Sequence, residues 1–179
     1  SRRAEIKMSK ITFILGGARS GKSRFAAKLA KEQGKKVAFI ATCQPLDKEM
    51  KKRIALHQKM RPGSWQTFEE PREIARLLKK MGHKFDVVVI DCLTLLVSNL
   101  LLEGLKENEI ERRISQIFSV LKKKKSRIII VSNEVGLGIV PQNPMARKFR
   151  DISGRINQIA AGKSDEVFFM VSGLSLKLK

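Results

Sequence analysis

Tyrosine is absent from this sequence, aromatic residues make up only 6% of it, and cysteine occurs just twice, at Cys43 and Cys92. So few rings leave little to build the stacking platforms on which single-stranded nucleic acids are held. Two cysteines without CxxC spacing give neither a disulfide framework nor a zinc site, and they read as small buried hydrophobes in a reducing compartment. No apolar run approaches the ~20 residues that span a bilayer, and the N-terminus lacks the apolar segment of a signal peptide. A cytoplasmic protein without a transmembrane segment is expected. Acidic residues are also scarce, 17 against 37 Lys plus Arg, for a formal charge of +20. That surplus is spread along the chain, with one cluster at residues 122–125, and reads as a solvated basic surface that favours anionic substrates; no specific nucleic-acid partner is expected.

What is present suits one globular domain: 179 residues, 42% of them hydrophobic, with no internal repeat and no linker. Residues 1–9 are expected to be a disordered or appended segment, with Met8 a possible natural start, and residues 10–179 to form the domain.

The most informative stretch is Gly16, Gly17, Ala18, Arg19, Ser20, Gly21, Lys22, Ser23, which fits GxxxxGK[ST] at every fixed position. Backbone N–H groups can close around a phosphate only where no Cβ intrudes, and Gly16, Gly17 and Gly21 are read as supplying that freedom. Lys22 is placed to reach β- and γ-phosphates, and the Ser23 hydroxyl to ligate the accompanying Mg²⁺. A β-prone run at residues 11–15 precedes the loop and a helical pattern at 22–33 follows it, the context that a phosphate loop requires.

Strands are expected at 36–42, 85–93, 127–132, 166–171 and 174–179, the last a half-exposed edge strand following a turn at Ser172 and Gly173. Helices are expected at 47–60, at 71–81 opening on Pro71, at 95–102, at 109–122, and from Asn143 and Pro144 to about 161 with Met145, Phe149, Ile152, Ile156 and Ile159 inward. Strands alternating with helices imply right-handed βαβ units, a mostly parallel sheet, and ligands at the carboxyl ends of the strands.

Asp91 ends the most apolar strand, where enzymes with a phosphate loop keep the acid that holds Mg²⁺ or its water. A second constellation lies on the polar helix: Glu49, Arg53, His57 and Arg61 are spaced by four and share one face if the helix extends that far. Arginines on either side disfavour imidazolium, leaving a neutral, nucleophilic ring and a place that attracts phosphate. The bland reading, a solvated surface histidine, stands beside it. His83 reads as a turn residue.

These segments together resemble the bifunctional adenosylcobinamide kinase/adenosylcobinamide-phosphate guanylyltransferase family. The resemblance is carried by GGARSGKS at 16–23, IAT at 40–42, DKEMKKRIALHQKMRPGSWQTFEE at 47–70, VIDCLT at 89–94, SNEVGLGIVP at 132–141, ARKFRDISGRINQ at 146–158 and VSGLSLKLK at 171–179. It departs mildly at Phe39, where relatives often have tyrosine, and in the high charge. It implies a three-layer, RecA-like P-loop NTPase α/β fold with a mostly parallel sheet and an antiparallel edge strand. It also implies a two-step activity: phosphorylation of adenosylcobinamide by ATP or GTP, then transfer of GMP from GTP to the adenosylcobinamide phosphate. By position His57 would be the guanylylated nucleophile, with Lys22 catalytic. Nucleotide contacts would come from residues 16–23, Ala41, Thr42, Cys43, Gln58, Lys59, Met60, Arg61, Glu69 and Asp91. Mg²⁺ would rest on Ser23 and Asp91, and the chain would form a homo-oligomer, a homotrimer in some relatives. The loop 133–141 with Arg147, Arg150 and Arg155 is a candidate for the corrinoid or its phosphate, or else only packs and solvates the following helix.

Two other readings remain open on residues alone. An ordinary P-loop small-molecule kinase would use Lys22, Ser23 and Asp91 with no need of His57, and a basic nucleotide-binding module would grip nucleic acid in a salt-sensitive way without turnover.

Overall fold

A computed structural model describes residues 9–45, 48–59 and 61–179, the side chains of Arg53 and His57 excepted. The expectation for residues 1–9 falls, apart from Ser9, outside them. The elements in chain order are β1 (Ile11–Gly16), α1 (Lys22–Gln33), β2 (Val37–Ala41), α2 (Lys48–Lys59), β3 (Gln66–Glu69), α3 (Ile74–Met81), β4 (Val87–Asp91), α4 (Leu93–Leu102), α5 (Glu107–Lys122), β5 (Arg127–Asn133), α6 (Pro144–Lys163), β6 (Glu166–Val171) and β7 (Leu174–Lys177).

Seven strands form one sheet in the order β3-β2-β4-β5-β1-β6-β7. Every pairing is parallel except β6 with β7, so the fold is α/β with an antiparallel edge. The continuous apolar runs are explained by burial on both faces. In β4, Val88 and Ile90 join a core shared with α3, α4, α5 and α6; Val87 and Val89, pointing the other way, join a smaller core under α1. Alternate residues of β5 divide in the same manner, Ile128 and Ile130 against Ile129 and Val131. The result is three layers.

Local chemistry sets the boundaries. The Asn143 side chain accepts from the N–H groups of Met145 and Ala146, with Pro144 in the first turn, so α6 starts where its cap dictates. At the end of α1, a Cβ on Gly34 would lie 2.4 Å from the Cβ of Asp86, whose carboxylate accepts from the N–H groups of Lys35 and Lys36. The contact that stops the helix also fastens the start of β2 to β4.

Several expectations are corrected. The helix expected from Pro71 begins only at Ile74, because the Glu70 carboxylate takes the N–H groups of Arg72 and Glu73 and holds them in a turn. The short parallel strand β3 was not anticipated, since a mostly exposed QTFE carries no apolar alternation. Met145 is exposed, not inward. The edge position of β7 is as expected, but all of its residues are exposed, leaving Leu174 and Leu176 uncovered on its face. Finally, the basic cluster at 122–125 is not wholly solvated: Lys124 is buried, its Nζ donating to the carbonyls of Leu78 and Gly82 at the end of α3.

Candidate active site

Parallel strands end on a common edge, and five consecutive strands of this sheet deliver the residues that the sequence marks. In register, Glu69 of β3 pairs with Ala41 of β2, Ala41 with Asp91 of β4, and Gly16 of β1 with Asn133 of β5. The topology therefore gathers a row of strand ends that are far apart in sequence.

The phosphate loop rises from Gly16. A Cβ there would sit 2.6 Å from the Met170 carbonyl and 2.7 Å from Ser20 Oγ, so glycine is needed for close approach to β6. Gly21 is needed for another reason, its φ of 99°. Gly17 departs from expectation: it has no left-handed φ and open space where a Cβ would go, so the fold does not demand glycine there. Arg19 is also left-handed, with φ 55°. The β6–β7 turn braces the loop from behind, Gly173 N–H donating to the Ser20 carbonyl.

Lys22 is buried, and its Nζ donates to the Gly17 carbonyl at 2.5 Å. Burial holds its pKa below the ordinary lysine value, against the opposing pull of Cys92 and Asp91. The Ser23 hydroxyl donates to Asp91 Oδ2 at 3.2 Å, across 68 residues of sequence. Ser20 Oγ is buried and, among the described residues, has no hydrogen-bond partner. A buried hydroxyl without a partner and a buried ammonium on one short loop, both at the wall of a single cavity, make a cradle for an anion.

Above the loop lies a cavity of 570 Å³, within the range of small-molecule sites. It brings together Ala18, Arg19, Ser20, Gly21, Lys22 and Ser23 with Ala41, Cys43, Gln58, Arg61, Glu69 and Asp91. Gln58 Nε2 donates to Glu69 Oε1, tying α2 to β3 across the opening. Not every expected residue lines it. Thr42 is fully buried, its hydroxyl donating to the Cys92 carbonyl and accepting from the Cys92 N–H; it holds the β2 end against the β4–α4 connection. Lys59 is exposed and away from the cavity wall, while Met60 and the His57 side chain lie outside the described residues.

Arg61 does not continue the face of α2, because it lies in a bend beyond the helix. It turns inward instead: its guanidinium lies 3.6 Å from the centre of the Phe39 ring, and burial lowers its pKa against the pull of Asp91 and Glu69. Sequence reasoning missed Met50 and Ile54, which line the same cavity. Their spacing of four on a strongly polar helix was the available signal. Of the arginines proposed for the corrinoid, Arg147 donates to the carbonyls of Pro141 and Gln142 and Arg155 pairs with Glu107, so both at least anchor structure.

Fold and site together define a nucleotide-using P-loop enzyme of three-layer α/β type. Among solved structures, the RadB recombinase shares the fold at a TM-score of 0.52 and 16% identity, over 89% of this chain and 73% of that one. The particular family follows from sequence: residues 12–178 match the model for cobinamide kinase / cobinamide phosphate guanyltransferase, and the chain belongs to that family of transferases. It is 43% identical to the bifunctional adenosylcobalamin biosynthesis protein CobP of Pseudomonas aeruginosa, over 93% of this chain and 95% of that protein. It is 40% identical to the bifunctional adenosylcobalamin biosynthesis protein CobU of Salmonella typhimurium, over 93% and 98% respectively. No helix among the described residues is long and apolar enough to cross a membrane.

Proposed function

We propose that the enzyme phosphorylates adenosylcobinamide with ATP or GTP and then transfers GMP from GTP to the product, through a covalent GMP-histidine at His57, giving adenosylcobinamide-GDP and pyrophosphate. In the first step the substrate hydroxyl oxygen bonds to the γ-phosphorus, the bond to the nucleoside diphosphate breaks, and the hydroxyl proton leaves. In the second, an imidazole nitrogen bonds to the α-phosphorus of GTP and pyrophosphate departs; an oxygen of the substrate phosphate then displaces the histidine. Splitting one displacement between two bulky anions into two smaller ones is the gain from covalent catalysis.

The observation that carries this reading is one cavity walled jointly by the phosphate loop and by α2, through Met50, Ile54 and Gln58. A residue seven after Met50 and three after Ile54 falls on their helical stripe, and that position is 57. Lys22 and the donor Ser20 would hold the phosphate chain, Arg19 and Arg61 would meet charge developing on the leaving group, and Glu69 with Gln58 would keep α2 in place. Ser23 and Asp91, adjacent hard oxygen donors, are the pair that would hold Mg²⁺, which when bound neutralises phosphate charge. Residues 10–179 act as one domain in this account, in the cytoplasm where the nucleotides are. The uncovered leucines of β7 support assembly as a homo-oligomer, for which a homotrimer is the proposal.

Intact-protein mass spectrometry after incubation with GTP and Mg²⁺ tests the proposal. Wild type should gain one acid-labile GMP, and His57→Ala none. Lys22→Ala should lose both activities, whereas His57→Ala should spare kinase turnover. No adduct on a folded wild-type chain that binds GTP would leave a P-loop kinase without covalent guanylylation.

A further inference from the structure

A second cavity, of 390 Å³, lies on the flank of α1 and shares Ser23, Arg24, Arg61 and Asp91 with the first. Its helical wall carries Arg24, Lys28 and Lys31. At spacings of four and three these cations stand in a single stripe, an arrangement that repels within an isolated helix. Among the described residues none of the three forms an ion pair, although Glu32 stands at the same wall. Opposite them Trp65 stacks on Phe39 at 6.3 Å between ring centres, and the Arg61 guanidinium covers Phe39. A chain with only 6% aromatic residues and one tryptophan has thus placed that tryptophan across from unpaired cations.

From this juxtaposition we infer that the flank cavity is a second nucleotide site, taking the base of a nucleoside phosphate against Trp65 and Arg61 and its phosphates against Lys28 and Lys31. Flat rings stack on indole and guanidinium faces, and phosphate satisfies adjacent ammonium groups. The volume, at the low end of ligand pockets, suits a mononucleotide and excludes a corrin macrocycle. Because Arg61 and Asp91 line both cavities, occupancy of one biases the other, and the coupling is reciprocal. This goes beyond the proposed reaction, which needs one nucleotide at a time in the larger cavity.

The test is a binding stoichiometry by calorimetry, at about 0.15 M salt so that diffuse attraction to the basic surface is screened. The probe is guanosine 5′-[α,β-methylene]triphosphate, or its adenosine analogue, which resists attack at the α-phosphorus. Wild type should bind two per chain, the second quenching Trp65 emission saturably. Lys28→Glu/Lys31→Glu, a change on an exposed helix face, should weaken that second event at least tenfold while leaving the first within twofold. Pyrophosphate, which has no base, should occupy the second site at least tenfold more weakly than the nucleotide. One nucleotide per wild-type chain, a second event untouched by the charge reversal, or pyrophosphate binding as tightly as nucleotide would each overturn the inference.

Discussion

Gly16→Ala and Gly17→Ala differ by one position in the phosphate loop and should have opposite consequences for the fold. At Gly16 the added Cβ would sit 2.6 Å from the carbonyl of Met170, against the 3.4–4 Å of ordinary contact. Met170 is the register partner of Gly16 in the β1–β6 ladder, so the carbonyl cannot retreat without parting two strands. The other neighbour, Ser20 Oγ at 2.7 Å, can move, but only by giving up the position that aims its unpartnered hydroxyl. Overpacking of this kind costs about 2 kcal/mol, which for a domain of this size lowers the melting temperature by about 4–8 °C. At Gly17 nothing lies within 4 Å of the added methyl, and the melting temperature should stay within about 1 °C. GTP affinity, measured by calorimetry on both, should nevertheless fall in both: through displaced donors in the first, and in the second through a methyl added to the loop whose backbone must close around phosphate. A Gly16→Ala chain that melts with wild type, or a Gly17→Ala chain that melts below it, would refute the reasoning.

Four further outcomes are expected. Burial, reinforced by the charge of Asp91, pushes the Cys92 thiol up to about 12 from an ordinary value of 9.0; at pH 8 an aromatic disulfide reagent should modify half-exposed Cys43 and spare Cys92 until the chain is unfolded. The same shift has a definite sign: between pH 9 and 12 the folded state keeps a proton that the unfolded state loses, so this group's contribution to stability is full below pH 9 and declines as pH rises, which denaturant titrations across that window will read. Lys124→Met should destabilise the fold by about 1–3 kcal/mol, because the carbonyls of Leu78 and Gly82 lose their buried donor. Arg61→Lys should weaken GTP binding about tenfold with little change in melting temperature, since an ammonium can keep the charge but not the planar contact over Phe39.

The parts of the fold legible beforehand were those whose cause is local. The phosphate loop follows from glycine and lysine spacing, the start of α6 from an Asn-Pro pair, and the interior strands from apolar runs that only two-sided burial explains. What escaped depends on partners distant in sequence. β3 exists because Gln66, Thr67, Phe68 and Glu69 pair with β2, and nothing within QTFE announces it. Pro71 looked like a helix start until the Glu70 carboxylate claimed the N–H groups behind it. Lys124 sat in a run of lysines whose bland reading held for its neighbours Lys122 and Lys123, which are exposed, and failed for the one residue beneath the end of α3.

The site shows the same division, with topology as the missing term. Ser23 and Asp91 could each be named from a motif, yet no motif places them 3.2 Å apart. Their meeting depends on β5, a later strand inserted between β1 and β4, which sets the two strand ends two positions apart along one edge and leaves α1 to lean its first turn across the gap. The same edge puts Glu69, Ala41 and Asp91 in successive register, and the bend at Arg61 lets it fold in over Phe39 rather than follow α2. A face of four residues spaced by four was therefore the wrong construction for Arg61 but pointed to the right neighbourhood. The cation reaches the cavity from the loop, the stripe of α2 reaches it from the helix, and the two converge because β3 returns the chain to the sheet beside β2.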